Sequence, residues 1–433
     1  MVHQTISTST ASAPNASSRM SHMSIAFRCA ASVLAAGILG MVACSSTPTQ
    51  APAPLESRNP KESTASGGST AIATAPSTPA TPTGTPTATT STQPIARARS
   101  RWTPANWSEL PGWERDRSAE LWSAFQRGCD RPPPGWAPLC ERARVDGATG
   151  FSDAATRAWL QERLQPFRVE SPDGTSEGLI TGYFEPLVGA SRVPRRNFRF
   201  PLYAPPPDLA TRRPYWTRQQ IDSLPAAQQS MKGRELAWVA DPLDALILQI
   251  QGSGRLQINE TDGTRRLVRV AYAGHNDQPY RSVGRWLVEQ GELKLEQASW
   301  PAIRQWAARN PQRVNELLWS NPRYVFFREE PLPDPQLGPK GAQAVPLTPG
   351  RSIAVDPLSV PYGTIAWLDT TEPLSNVPLR RVVMAQDTGS AITGAVRADF
   401  FWGWGAEAEA QAGRMKQPLR LWVLWPKGSL PAP

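Results

Sequence analysis

Hydrophobic positions are spread unevenly along the 433 residues. The first apolar run, in MSHMSIAFRCAASVLAAGILGMVACSS from Met20, shows no alternation, follows a single Arg and ends in small residues. It is too short to span a bilayer comfortably and predicts an export signal. From Ser45 to about Ile95 the chain is Ser, Thr, Pro, Ala and Gly, with no aromatic residue and four charges, Glu56, Arg58, Lys61 and Glu62. Such a stretch cannot bury a core, so it predicts a disordered tether reaching on the order of 100 Å.

Beyond Ala96 both structural periods appear. Helical spacing predicts helices in SDAATRAWLQERL with Ser152 as cap, QPYRSVGRWLVEQ, SWPAIRQWAARNP, and NPQRVNELLW opening on Asn310-Pro311. Strands are predicted in LITGYFEPL, ALILQIQGSGRLQI, RLVRVAYAG, SIAVDPLSVPYGTIAWL, RVVMAQD and LRLWVLWP, which alternates by side chain. Many short strands beside few helices predict a mainly β protein of barrel type rather than a wound α/β sheet. No repeat of fixed period is present.

Composition then sharpens the picture. The end of the signal, Met41-Val42-Ala43-Cys44, resembles a bacterial lipobox, which makes Cys44 the lipidated mature N-terminus after a signal peptide of residues 1–43. Ser45 follows, with no Asp, which implies an outer-membrane lipoprotein facing the periplasm of a Gram-negative cell. Met1 to Arg19 reads as an over-called start or an extended leading region. Cys29 leaves with the signal, so Cys129 and Cys140 remain and are expected to pair in an oxidising compartment. The signal takes Arg19 and Arg28 with it, leaving 44 of the 46 basic residues against 37 acidic ones, a net +7 that is mild and dispersed. It suits an anionic polymer or surface; without Lys/Arg blocks or RNA-binding signatures, nucleic acid is not expected.

Several chemistries are excluded. Past residue 43 the only histidine is His275, so a multi-His metal site cannot be built, and no metal or other cofactor is expected. Gly174-Thr-Ser176-Glu-Gly178 matches G-x-S-x-G, but it runs from a turn into a strand rather than from a strand into a helix. No P-loop or dinucleotide fingerprint is present. Gln386–Gly405, QDTGSAITGAVRADFFWGWG, opens on the tetrapeptide of aspartic proteases. That chemistry needs a second copy, and Leu368-Asp369-Thr370-Thr371 lacks the glycine.

Carboxylates are the remaining catalysts. A strand from Val382 delivers Asp387 to a turn, Gly394 makes a second turn, and Asp399 arrives beside Phe400, Phe401 and Trp402. Such apolar surroundings raise a carboxyl pKa and suit a general acid. Trp402, Trp404, Tyr183 and Phe184 lie next to glycine-rich turns, as expected of faces on which sugars stack. Most of the 17 tryptophans are expected in the core.

Six ordered motifs then carry a resemblance: GLITGYFEPLVGASR, LILQIQGSGRLQ, RVAYAGHNDQPYRSVGRWL, NPRYVFFRE, SIAVDPLSVPYGTIAWL and the stretch at 386–405. From about residue 100 onward the chain resembles the membrane-bound lytic murein transglycosylase A family, with its C-terminal three-aspartate module. The resemblance implies a double-psi β-barrel from residues 98–192 and 321–433, an inserted smaller β-barrel at 193–320, a few peripheral helices, and a glycan groove between them. It implies non-hydrolytic cleavage of the MurNAc-β-1,4-GlcNAc bond of peptidoglycan to 1,6-anhydro ends, with Asp399 as acid then base and Asp387 and Asp356 in support. Tyr183, Glu185, Gln251, Gly252, Ser253 and Trp402 are implied to meet the substrate. A hydrolytic muramidase and a non-catalytic glycan-binding lipoprotein are the alternatives. Peptidoglycan strands and the outer membrane are the expected partners, with cell-wall synthesis complexes as candidates. His275 sits in a motif without a separable role. The cysteine loop, within Arg127–Val145, is expected as an elaboration apart from the site.

Overall fold

The computed structural model describes residues 91–147 and 150–431. The signal, the tether and Cys44 lie outside the described residues. In chain order the strands are β1 (Ile95–Ala96), β2 (Arg101–Pro104), β3 (Leu164–Glu170), β4 (Gly178–Glu185), β5 (Leu187–Ser191), β6 (Phe200–Tyr203), β7 (Glu235–Val239), β8 (Ser253–Asn259), β9 (Arg265–His275), β10 (Val325–Pro331), β11 (Ser352–Val355), β12 (Thr364–Thr371), β13 (Pro378–Asp387), β14 (Arg397–Trp404) and β15 (Lys416–Pro426).

Two sheets result. In the first, the order β15-β12-β13-β11-β14-β4 closes on itself because β4 also pairs with β15. This is the double-psi barrel, and β3, β2 and β1 extend it from the far end of β15. Its strands are near-continuous apolar runs because both faces are covered: seven of the eight residues of β12 are buried. Tryptophans provide much of that cover. Trp102 and Trp136 each lie 5.5 Å from Trp425, and Trp113 lies 5.1 Å from Trp367.

The second sheet, in the order β10-β9-β8-β5-β7-β6, forms the inserted smaller barrel. Its edges β6 and β10 approach, with the Tyr203 and Tyr324 rings 6.4 Å apart, but no ladder joins them. It begins at Leu187 and ends at Pro331, so limits of 193 and 320 omit its first and last strands.

One segment differs from its predicted type. Residues 242–251 form a helix that takes up the first half of the run read as a strand, Ala245–Ile258, and is followed by β8. Asp241 caps it by accepting from Leu243 N–H at 2.8 Å, Pro242 occupies the first turn, and Gly252 ends it at φ 78°. The local cap and stop signals override the strand-like apolar run.

Glu185 is the site residue whose surroundings differ most from the expectation. Expected at the substrate, it is fully buried where the chain leaves the barrel for the insert. Its carboxylate accepts from Arg255 Nε at 2.8 Å and from Arg269. The same two guanidiniums donate to Leu337 O, and Arg255 also to Pro335 O, on the segment that returns to the barrel. One carboxylate thus fixes both crossings between the domains.

Candidate active site

β11 lies between β13 and β14, and its Ala354 is the register partner of Asp387 on one side and Asp399 on the other. Asp399 in turn pairs with Thr181 of β4, so Thr181, Asp399, Ala354 and Asp387 form one row across four barrel strands. Thr181 and Tyr183 are two apart on β4 and therefore share a face. Each reaches one aspartate.

Thr181 Oγ1 donates to Asp399 Oδ1 at 2.6 Å, while Arg397 donates to Thr181 Oγ1 at 2.9 Å. The arginine thereby orients the hydroxyl proton toward the carboxylate. Burial pushes the Asp399 carboxyl up to about 6; the Thr181 bond and the Arg397 charge oppose the shift, and Asp387 adds to it.

Asp387 accepts from the Tyr183 hydroxyl and from Ala342 N–H, both at 3.0 Å. Burial pushes it up to about 6 as well, against those donors. Burial and the two facing carboxylates hold the Tyr183 phenol well above its ordinary value, so it remains a donor. The Tyr183 ring also packs 5.2 Å from Phe401.

The turn carrying Ala342 has Ala344 at φ 63° and is anchored through Gln343. Gln343 N–H donates to Gln386 O, and its Nε2 donates to Gly128 O and Arg131 O. These carbonyls flank Cys129, whose sulfur bonds to Cys140 with the Cα atoms 5.4 Å apart. The cysteine loop therefore supports Asp387 from behind, where it was expected to lie apart from the site.

Asp356 is buried and turned to structural bonds. It accepts from Arg99 at 2.9 Å, Gly394 N–H at 2.8 Å and Leu358 N–H at 3.0 Å, which pins the glycine turn ahead of Asp399.

A cavity of about 660 Å³ separates the barrel from the insert, bordered by Gly182, Phe184, Gln251, Tyr280, Trp300 and Lys416. Gln251 belongs to it and also accepts from Phe184 N–H at 3.2 Å. Gly252 and Ser253 do not border it: the glycine ends the helix and Ser253 is buried. Trp402 is half-buried, with its indole N–H 3.3 Å from Met415 Sδ and its ring 5.0 Å from Phe400. His275 accepts from Asp277 N–H within its own turn at 2.9 Å, and burial lowers its pKa. Among the described residues no cluster of His, Cys, Asp and Glu could hold a metal.

Sequence reasoning missed Thr181, Arg397 and Gln343. Thr181 carried a signal, since it stands two before Tyr183 in a strand already read as facing the groove.

Comparison with known proteins agrees with this architecture. The MltA specific insert domain matches residues 179–328 and the 3D domain matches 351–425. The membrane-bound lytic murein transglycosylase A of Escherichia coli K12 is 33% identical over 275 residues, covering 62% of this chain and 71% of its own. The lytic transglycosylase LtgG of Burkholderia pseudomallei is 44% identical, with a TM-score of 0.56, covering 77% of this chain and 97% of its own. A structure of E. coli MltA with bound chitohexaose is 28% identical, with a TM-score of 0.54, covering 74% of this chain and 89% of its own. These relatives place the chain in the class of peptidoglycan-cleaving lyases. The chain belongs to the membrane-bound lytic murein transglycosylase A family.

Proposed function

We propose that the protein is a lytic transglycosylase that cleaves the MurNAc-β-1,4-GlcNAc bond of peptidoglycan without water, with Asp399 as its single acid and base. The observation that carries this reading is the Asp399 carboxyl, raised to about 6 by burial and held by Thr181, whose chain neighbour Gly182 borders the interdomain cavity. A carboxyl so tuned is protonated often enough to give a proton and basic enough to take one back.

Asp399 first donates its proton to the glycosidic oxygen as the C1–O bond breaks. The muramyl C6 oxygen then bonds to C1, and its hydroxyl proton passes to the Asp399 carboxylate, which returns the acid to its starting state. Asp387, two strands away in the same row, stabilises positive charge at C1 in the transition state. The glycan strand runs through the cavity between the domains past Gln251 and Gly182, as the chitohexaose bound to the E. coli relative supports.

Digesting murein sacculi in H2 18O tests the reaction. Muropeptides with 1,6-anhydro ends and no 18O are expected; reducing muramyl ends carrying 18O would overturn the reading and favour a hydrolase. The name of the E. coli relative supports membrane association, and no helix among the described residues is long and apolar enough to cross a membrane. Lipidation at Cys44 supplies the anchor in this reading, with the outer membrane as destination. Cys44→Ala should leave the membrane fraction, and a variant that stays there would remove the anchor.

A further inference from the structure

A second cavity, of about 1020 Å³, opens beside the carboxylate row, and Thr181 is in its wall. Thr181, whose hydroxyl donates to Asp399, thus joins this wall to the carboxylate row, although neither aspartate lines the cavity. Lys416 of β15 is the register partner of Thr181, on the side away from Asp399. Paired positions on neighbouring strands share a face, so the Lys416 ammonium is presented on the face that carries both aspartates. Lys416 is exposed, has no ion pair among the described residues, and lies where this cavity meets the interdomain one. The rest of the wall mixes apolar with charged groups. Leu295 and Leu374 are 62% and 77% exposed, Arg414 adds a second cation, and Glu296 and Glu409 add two acids.

We propose that this cavity is the binding site for the short acidic peptide carried on the lactyl group of the muramic residue, with Lys416 holding one of its carboxylates. The inference rests on the peptidoglycan reading above. A muramic residue positioned for attack on its own C1 projects its C3 substituent out of the glycan line within a few ångströms of the catalytic carboxyl. The cavity gives that substituent room, and its volume is in the range that encloses ligands of several hundred daltons. A stem peptide offers alanine methyls to Leu295 and Leu374, carboxylates to Lys416 and Arg414, and, where it contains a diamino acid, an amine to Glu296 or Glu409. Lys416 acts as a point charge, so arginine should replace it where methionine should not.

The test compares purified glycan chains bearing tetrapeptides with the same chains stripped by an amidase. For Lys416→Met, the preference in kcat/KM for peptide-bearing chains should fall about tenfold relative to wild type, through KM, and Lys416→Arg should restore most of it. A preference unchanged in Lys416→Met, or equal losses on both substrates, would overturn the proposal. Calorimetry with free tetrapeptide supplies a readout independent of the reaction: binding to wild type that weakens in Lys416→Met supports the site, and equal binding refutes it. The isotope experiment above fails or succeeds separately, because it reads the bond formed at C1 and not the peptide.

Discussion

Thr181 Oγ1 stands 2.6 Å from Asp399 Oδ1 and is itself held by Arg397. The bond favours the carboxylate, so Thr181 lowers a pKa that burial raises. In Thr181→Val the acid should hold its proton to higher pH. Since the first step needs the protonated form, the alkaline limb of the kcat profile should move up by about one pH unit, the order expected for a hydrogen bond to a charged group. The pH profile of the purified variant is the check; an unmoved limb would show that Asp399 does not set it.

Asp387 has the opposite influence. Its negative charge raises the Asp399 pKa, so Asp387→Asn should shift the same limb to lower pH. Opposite shifts from two residues in one row would be hard to obtain from general damage to the fold.

The same substitution should also stabilise the protein, and only above a definite pH. Asp387 has a folded pKa of about 6 against an ordinary 3.8. A carboxyl raised on folding leaves stability intact below the lower value and reduces it as pH rises through the higher one. Asp387→Asn should therefore melt later than wild type at pH 7.5, by roughly 1 kcal/mol or more in stability, with the difference vanishing near pH 4. Thermal unfolding at the two pH values decides this.

Glu185 should behave as a structural residue. Glu185→Gln leaves Arg255 and Arg269 buried without their counter-charge, a change that costs about 3–5 kcal/mol when one partner of a buried pair is removed. Denaturant unfolding should show that loss. A variant of wild-type stability with a raised KM would return Glu185 to the substrate.

The sequence made the carboxylates legible because apolar runs and glycine turns surround them, and their place at the ends of barrel strands follows from that pattern. It did not reveal that Asp387 and Asp399 flank a single alanine, since this register is set by β11, four residues long and remote in the chain. Nor could it separate Glu185 from a surface acid: its partners lie 70 and 84 residues away, on the sheet to which that strand leads. The surroundings of Trp402 were hidden for a related reason. An aromatic beside glycines can stack on a ligand or close-pack a wall, and its bond to Met415 is set by the chain thirteen residues on. The helix at 242–251 shows the converse, because its Asp-Pro start and glycine stop were present in the chain but were outweighed by the apolar run.

The most direct test is Asp399→Asn. The asparagine keeps the shape and can still accept from Thr181 but holds no transferable acid proton. The variant should fold with a wild-type circular dichroism spectrum, release 1,6-anhydromuropeptides from sacculi at least about a hundredfold more slowly, as expected for loss of general acid–base catalysis, and still bind them. A folded Asp399→Asn protein that clears sacculi at the wild-type rate would contradict the assignment of the chemistry to this aspartate.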